Sequence, residues 1–216
     1  MAEAHAQLLP SRGRHLRHEL CWLECARELD ERNTTGGACR AWNLRSRSAP
    51  HVWYFNAQHH VVGMVRGRFD KMTGKVTVSN DLAACGVDVS IDAASVSTQN
   101  ATRDEDLRSP AFFDATAAPT IEYHGRGIRP VGEKWVLDGT LTIRGITKPV
   151  PLEVVFNGVA PAKAGQPKRV AFHATAATKR ADLGMVRELL DEIGVTSEKP
   201  DVWIEIDAEA LASAAR

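Results

Sequence analysis

The sequence predicts a mostly-β protein: about eight strands in one antiparallel sheet that closes into a barrel, with two short helices. Alternation carries most of this reading. From Trp42 onward, segment after segment places apolar residues at every second position, as half-buried strands do. The links between these segments are short, whereas parallel strands need crossovers of about a dozen residues or more, so the sheet is expected to be antiparallel. Roughly eight strands is also the size at which a sheet can close around one small ligand. A two-layer sandwich with a similar number of strands is the competing architecture.

Residues 1–40 differ in character from the rest of the chain. They are expected to form a loosely attached tail with one amphipathic helix, on Leu16, Leu20 and Leu23, ended by the polar run Asn33 to Gly37. The β domain is placed at residues 41–212. Val52 to Phe55 and Val61 to Phe69 are rich in branched and aromatic residues, and Lys71 to Gly74 reads as a turn. Cys85, Val87, Val89 and Ile91 share one strand face. Asn100 is placed to cap a short charged helix, Ala101 to Arg108, which Ser109-Pro110 stops; Phe112 and Phe113 behind it look exposed. Thr120 to Gly127 is a further strand with Ile121 and Tyr123 on one side.

The clearest stretch runs from Trp135 to Asn157. Trp135, Leu137, Gly139, Leu141 and Ile143 share one parity, Gly145 supplies the freedom a turn needs, and Pro149 excludes a central ladder position. Alternation then resumes with Val150, Leu152, Val154 and Phe156. After a loop rich in Gly and Pro come Val170, Phe172 and Ala174 at alternate positions. Leu183, Val186, Leu189, Leu190 and Ile193 are spaced as one face of the second helix, with Gly194 at its C-terminal cap. Val202, Ile204 and Ile206 alternate in the last strand.

Composition narrows the function classes. The chain has 216 residues, 44% of them apolar, which suffices for a sizeable core. Its net charge is zero, so bulk electrostatics give no reason to expect a nucleic-acid partner. Cys21, Cys25, Cys39 and Cys85 show no disulfide framework and are read as free thiols. No run approaches the roughly 18 apolar residues of a membrane span, and no leader pattern opens the chain, so the expected location is the cytoplasm.

Several segments together resemble the YceI family of lipocalin-like, polyisoprenoid-binding proteins. Gly139 to Leu152, GTLTIRGITKPVPL, is similar to that family's G-x-L-T-I-R-G-V-T-x-P-V-x-L signature, with Ile146 for a Val. Arg103 to Asp114, RDEDLRSPAFFD, resembles its R-D-x-H-L-R-S-P-D-F-F-D segment, and Arg180 to Gly184, RADLG, its R-x-D-F-G. His60 with Val65 to Phe69, VRGRF, resembles an early H…V-R-G-R-F stretch, so the likeness covers roughly Trp42 to Leu211. The sequence departs from the pattern where Asp106 stands for a His, Ala111 for an Asp and Leu183 for a Phe. At the end of the first strand, the usual His-Ser position falls on Pro50, with His51 displaced by one.

The resemblance implies a lipocalin-like barrel that binds, sequesters or carries an isoprenoid-type lipid or similar long amphiphile in its interior. Bulky residues on apolar faces or at the lid are the expected tail lining: Phe112, Phe113, Trp135, Leu141, Ile143, Phe156 and Phe172. A polar head would need donors at the barrel mouth. Arg103, Arg108 and Arg180 are the cations near the two helical segments, and a guanidinium's fixed fork of donors suits phosphate or quinone oxygens. His60 is the histidine that could join them. The alternative reading is that these arginines pair with Asp104, Asp106 and Asp182.

Other chemistry finds little support. His15, His18, Cys21 and Cys25 fit no standard zinc pattern, and no phosphate-cradling loop, nucleophile elbow or H-E-x-x-H is present. Binding without catalysis, with no cofactor and no metal, is therefore expected. Catalysis on a bound isoprenoid and a ligand-free interaction module are the alternatives, and a homodimer is left open.

Overall fold

The structure, a computed structural model, describes residues 40–45, 52–59, 63–79, 81–132, 134–161, 163, 168–185 and 201–212. The amphipathic helix expected in residues 1–40 and His60 lie outside the described residues, as does the second helix from Val186 onward; Leu183, expected on that helix, instead ends a 3-10 turn, Ala181–Leu183, closed by Gly184 at φ 76°. In chain order the strands are β1 (Arg40–Arg45), β2 (Val52–His59), β3 (Gly63–Phe69), β4 (Met72–Val78), β5 (Gly86–Asp92), β6 (Val96–Ser97), β7 (Thr120–Val131), β8 (Lys134–Ile143), β9 (Ile146–Pro149), β10 (Leu152–Ala160), β11 (Arg169–Thr178) and β12 (Val202–Ala212). One α-helix, α1 (Ala101–Arg108), lies between β6 and β7.

All of the pairings are antiparallel, as the short links require. The order is β1-β4-β5-β7-β8-β10-β11-β12-β2-β3-β6, with β9 on β8 and a further pairing of β1 with β12. Among the described residues twelve strands are present where eight are expected, for two reasons. First, two runs of chain are interrupted. β12 carries β2 along one stretch of its edge (Val202↔Ala57 to Asp207↔Val52) and β1 at its end (Leu211↔Asn43, Ala212↔Trp42), so β1 and β2 follow one another beside it. β3 and β4 likewise follow one another, on β2 and β1 respectively. Second, β6 and β9 add two short strands.

The break between β3 and β4 corrects the expected turn at Lys71 to Gly74. It falls at Asp70-Lys71, whose backbone N–H groups leave the ladder and donate to the carbonyl and hydroxyl of Ser95, each at 3.1 Å. Met72 is buried and begins the next strand, because Met72, Val76 and Val78 continue an inward-facing alternation.

The best-read segment behaves as its parity requires. Trp135, Leu137, Leu141 and Ile143 are all buried, and Arg144 and Gly145, at φ 53° and 75°, form a two-residue type I′ turn that pairs Ile143 with Ile146. Gly139 is half-buried for a steric reason. A Cβ there would lie within 2.5 Å of the Tyr123 ring and 2.9 Å of the His124 carbonyl. The space it leaves lets the buried Tyr123 hydroxyl donate to the Val150 carbonyl at 2.9 Å, satisfying both groups away from water.

Candidate ligand-binding site

The inward faces of the strands make one apolar interior holding two chambers. One, of about 90 Å³, lies toward α1; Leu141, Ile143, Ile121, Phe69 and Phe113 are among its walls. The other, of about 80 Å³, lies further along the same strands, with Leu137, Tyr123, Val89, Phe172 and Leu152 among its walls. Among the described residues, Trp53 is common to both linings. It is 3% exposed, and its ring centroid is 6.3 Å from that of Tyr123.

α1 closes the nearer end as a lid, and short-range polar contacts hold it there. Asn100 caps the helix by accepting from the Arg103 N–H at 3.1 Å. Asp104, buried in the first turn, accepts from the Thr98 N–H at 2.7 Å and the Thr98 hydroxyl at 2.6 Å. Arg108 is a latch: its Nε donates to the Ala94 carbonyl at 2.8 Å and its Nη2 to the Val96 carbonyl at 2.9 Å. Backbone N–H groups of Phe113, Asp114 and Ala115 donate to the carbonyls of Leu107 (3.0 Å), Ser109 (2.9 Å) and Arg108 (3.0 Å), folding the following loop back on the helix end, and Phe113 lies 5.4 Å from Phe69 and 6.4 Å from Phe55 between ring centroids. Phe113 is therefore buried and Phe112 half-buried, which corrects the exposed reading of both.

Beside the lid lies a larger and more polar vestibule of about 330 Å³. Asn100, Thr102, Arg103 and Asp106 of the α1 segment face Gln58 and Val65 across it, and Arg180 lies at its inner end. Phe55, Ala57, Leu107, Phe112 and Arg180 line both this vestibule and the chamber behind the lid, so the two spaces adjoin. Arg180 is buried and fully engaged in structure: its Nε donates to Asp201 Oδ2 at 2.7 Å, its backbone N–H to Asp201 Oδ1 at 2.8 Å, and its Nη2 to the Gln58 carbonyl at 3.0 Å. A charge pair this well satisfied can stay buried, and it ties the end of β2 to the start of β12. Arg103 donates from Nε to the Thr98 hydroxyl at 2.8 Å and from Nη2 to the Thr98 carbonyl at 3.2 Å.

The expected site residues sort clearly. Phe112, Phe113, Leu141 and Ile143 line the chamber behind the lid, and Phe172 the further one. Trp135 is buried and Phe156 half-buried, outside both linings, with the Phe156 ring tilted 53° to that of Phe172 and 5.7 Å from it between centroids. Arg103 and Arg180 come together at the vestibule; Arg108 does not, being spent on carbonyls. None of the three makes the alternative pairing with Asp104, Asp106 or Asp182, because backbone carbonyls, Thr98 and Asp201 take their donors instead. Trp53, Gln58 and Asp201 are not among the expected residues. Trp53 carries a signal in its strand parity, but Asp201 lies 21 residues from its arginine and carries none.

The segments read as signatures meet at this end. The Arg144 guanidinium lies 3.5 Å from the Gly184 carbonyl. Gly184 sits at φ 76°, a left-handed conformation that favours glycine, and it lies against the Ile146 side chain, so the two motifs pack together here.

Known proteins share this architecture. Protein YceI of Salmonella newport (strain SL254) is 29% identical over 176 residues, covering 81% of this chain and 90% of that protein. The crystal structure of the Campylobacter jejuni YceI protein superposes with a TM-score of 0.60 at 28% identity, covering 73% of this chain and 90% of that one. A polyisoprenoid binding domain from Saccharophagus degradans, implicated in plant cell wall breakdown, shares the fold at 16% identity and a TM-score of 0.58, over 81% of this chain and 99% of that one. Residues 32–210 match the YceI-like domain model, and the chain belongs to that family.

Proposed function

We infer that the protein binds an isoprenoid-type amphiphile, with the tail in the apolar interior and the head in the vestibule beside α1. The observation that carries this reading is the junction itself: a polar space with Arg103 and Arg180 adjoins an apolar chamber through shared walls. An amphiphile needs that sequence of surroundings. Burying apolar carbon gains about 0.8 kcal/mol each, or roughly 4 kcal/mol per five-carbon isoprene unit before ordering costs, so one or two units already give useful affinity. Arg180 is already paired with Asp201, so Arg103 is the guanidinium of this space whose own bonds go to uncharged groups, and its fork of donors suits a head with phosphate or carbonyl oxygens.

The container in this reading is a lipocalin-like barrel within residues 41–212. Counting β1 with β2 and β3 with β4 as interrupted strands gives eight around the ring, and the pairing of β1 with both β4 and β12 supports closure. The polyisoprenoid-binding domain of similar fold supports the ligand class. The test is native mass spectrometry of the purified protein followed by organic extraction. A prenyl-type molecule in near-equal ratio to protein is expected; protein that carries none and takes up no prenyl alcohol or prenyl phosphate on soaking contradicts the reading.

A further inference from the structure

We propose that His173, Glu205 and Asp207 form a binding site for a first-row divalent cation of the zinc class on the outer face of the sheet. The site is independent of the tail-binding interior. β11 and β12 build it through their register: His173 pairs directly with Asp207, and Glu205, two positions along β12, pairs with Thr175. Successive residues of a strand point to opposite faces, so Glu205 and Asp207 share the outer face with His173, while Phe172, Ala174 and Ile206 turn inward to the further chamber. One ligand atom from each of the three side chains lies within 4.8 Å of the others. His173 and Asp207 are 34 residues apart in the chain, so no local motif announces the site.

The His173 Nδ1 lies 2.8 Å from Asp207 Oδ1. A tetrahedral zinc ion with bonds of about 2.0–2.2 Å holds its ligand atoms roughly 3.3 Å apart, so this pair has to open by only about half an ångström while Glu205 swings in. All three side chains reach solvent, which lets an ion enter and keep water as its remaining ligand. Arg66 donates to Glu205 Oε2 at 3.2 Å and lies 4.4 Å over the Tyr54 ring, which orients the carboxylate from behind and leaves its other oxygen for the ion. Two carboxylates outweigh that one guanidinium. His124 shows that the residue types alone do not suffice: Asp88 faces its Nδ1 at 2.9 Å and Glu122 its Nε2 at 3.7 Å, on different edges of the ring. Arg126 also takes both oxygens of Asp88, at 2.6 and 2.8 Å. No single ion can meet that set, whereas the His173 set converges. Imidazole with two carboxylates suits Zn²⁺, Co²⁺ or Ni²⁺ better than Mg²⁺ or Ca²⁺, which take oxygen ligands.

The experiment titrates ZnCl₂ into the untagged full chain by calorimetry and repeats the titration with MgCl₂. The wild type is expected to bind Zn²⁺, and Mg²⁺ at least about tenfold more weakly. His15, His18, Cys21 and Cys25 are further zinc ligands in the same chain, so variants assign the site. His173→Gln and Asp207→Asn are each expected to remove one equivalent of Zn²⁺ or to weaken it at least about tenfold, whereas His124→Gln leaves the titration unchanged. A His173→Gln titration that matches the wild type overturns the proposal, as does a wild type that binds no Zn²⁺ or binds Mg²⁺ equally well. An equal loss in His124→Gln overturns it too. Imidazole NMR of the wild type decides the matter if a variant does not fold: Zn²⁺ is expected to shift the His173 ring signals, and signals unmoved at saturation contradict the site.

Discussion

The two ends of the interior are built from opposite materials. At the α1 end the walls include Arg180, Thr178 and the polar vestibule, and buried charges are bound into a network with backbone groups. Beyond Trp53 the lining is almost wholly aliphatic and aromatic. On the proposed reading the polar end has to hold α1 in place and meet a head group, while the far end has only to stay dry, which gives the site a direction inward from α1.

The largest effect is expected where the polar end depends on a single carboxylate. Asp201→Ala leaves Arg180 buried without its partner, and breaking such a pair costs about 3–5 kcal/mol. Urea unfolding reads this directly; a loss below about 1 kcal/mol would mean that the network does not anchor this end. Tyr123→Phe probes the middle. It strands the Val150 carbonyl and is expected to cost about 1–3 kcal/mol.

The same hydroxyl gives a pH signature. Burial, with the Asp138 carboxylate second, raises the Tyr123 pKa above its ordinary value. A folded pKa above the unfolded one means that stability is fully present below about pH 10, the unfolded value, and is lost as pH rises beyond it. Unfolding curves at rising alkaline pH should show that decline in the wild type and a weaker one in Tyr123→Phe.

Arg103→Met sharpens the comparison from the ligand side. It should weaken prenyl phosphate binding about tenfold, in the range of one charge-assisted hydrogen bond, and leave prenyl alcohol binding nearly unchanged. Equal losses for both probes would place the head elsewhere. The smallest effect belongs to the outer surface. Burial raises the Asp88 pKa, but hydrogen bonds from His124 at 2.9 Å and Arg126 at 2.6 and 2.8 Å outweigh it and hold the carboxyl below its ordinary value. Its contribution is present above about pH 4 and is lost as pH falls. Since the group is exposed, Asp88→Asn should cost less than about 1 kcal/mol in urea unfolding at neutral pH.

Legibility follows the range of the forces involved. Alternation in β8 and β10 is readable because the pleat turns sequence parity into burial, and the Asn100 cap because its partner lies three residues away. The interruption at Asp70-Lys71 escapes local reading because Ser95, which satisfies those N–H groups, is 24 residues further on. Phe113 looks exposed in the sequence because the rings it packs against, Phe55 and Phe69, lie far upstream, and the backbone bonds that fold its loop back leave no mark on residue type. Parity puts Trp53 inside, yet only the arrangement of neighbouring strands brings it into the lining of both chambers. The vestibule is half legible, since its cations stand out in the sequence while Gln58 and Asp201 do not.

The most direct test of a head-out, tail-in site is a crystal structure of the protein with geranyl phosphate. The expected result is a phosphate in the vestibule beside Arg103 and a ten-carbon tail running past Phe55 and Leu141 into the chamber behind α1. A tail lying on the outer surface, or reaching the far chamber from the Cys85 side, contradicts it.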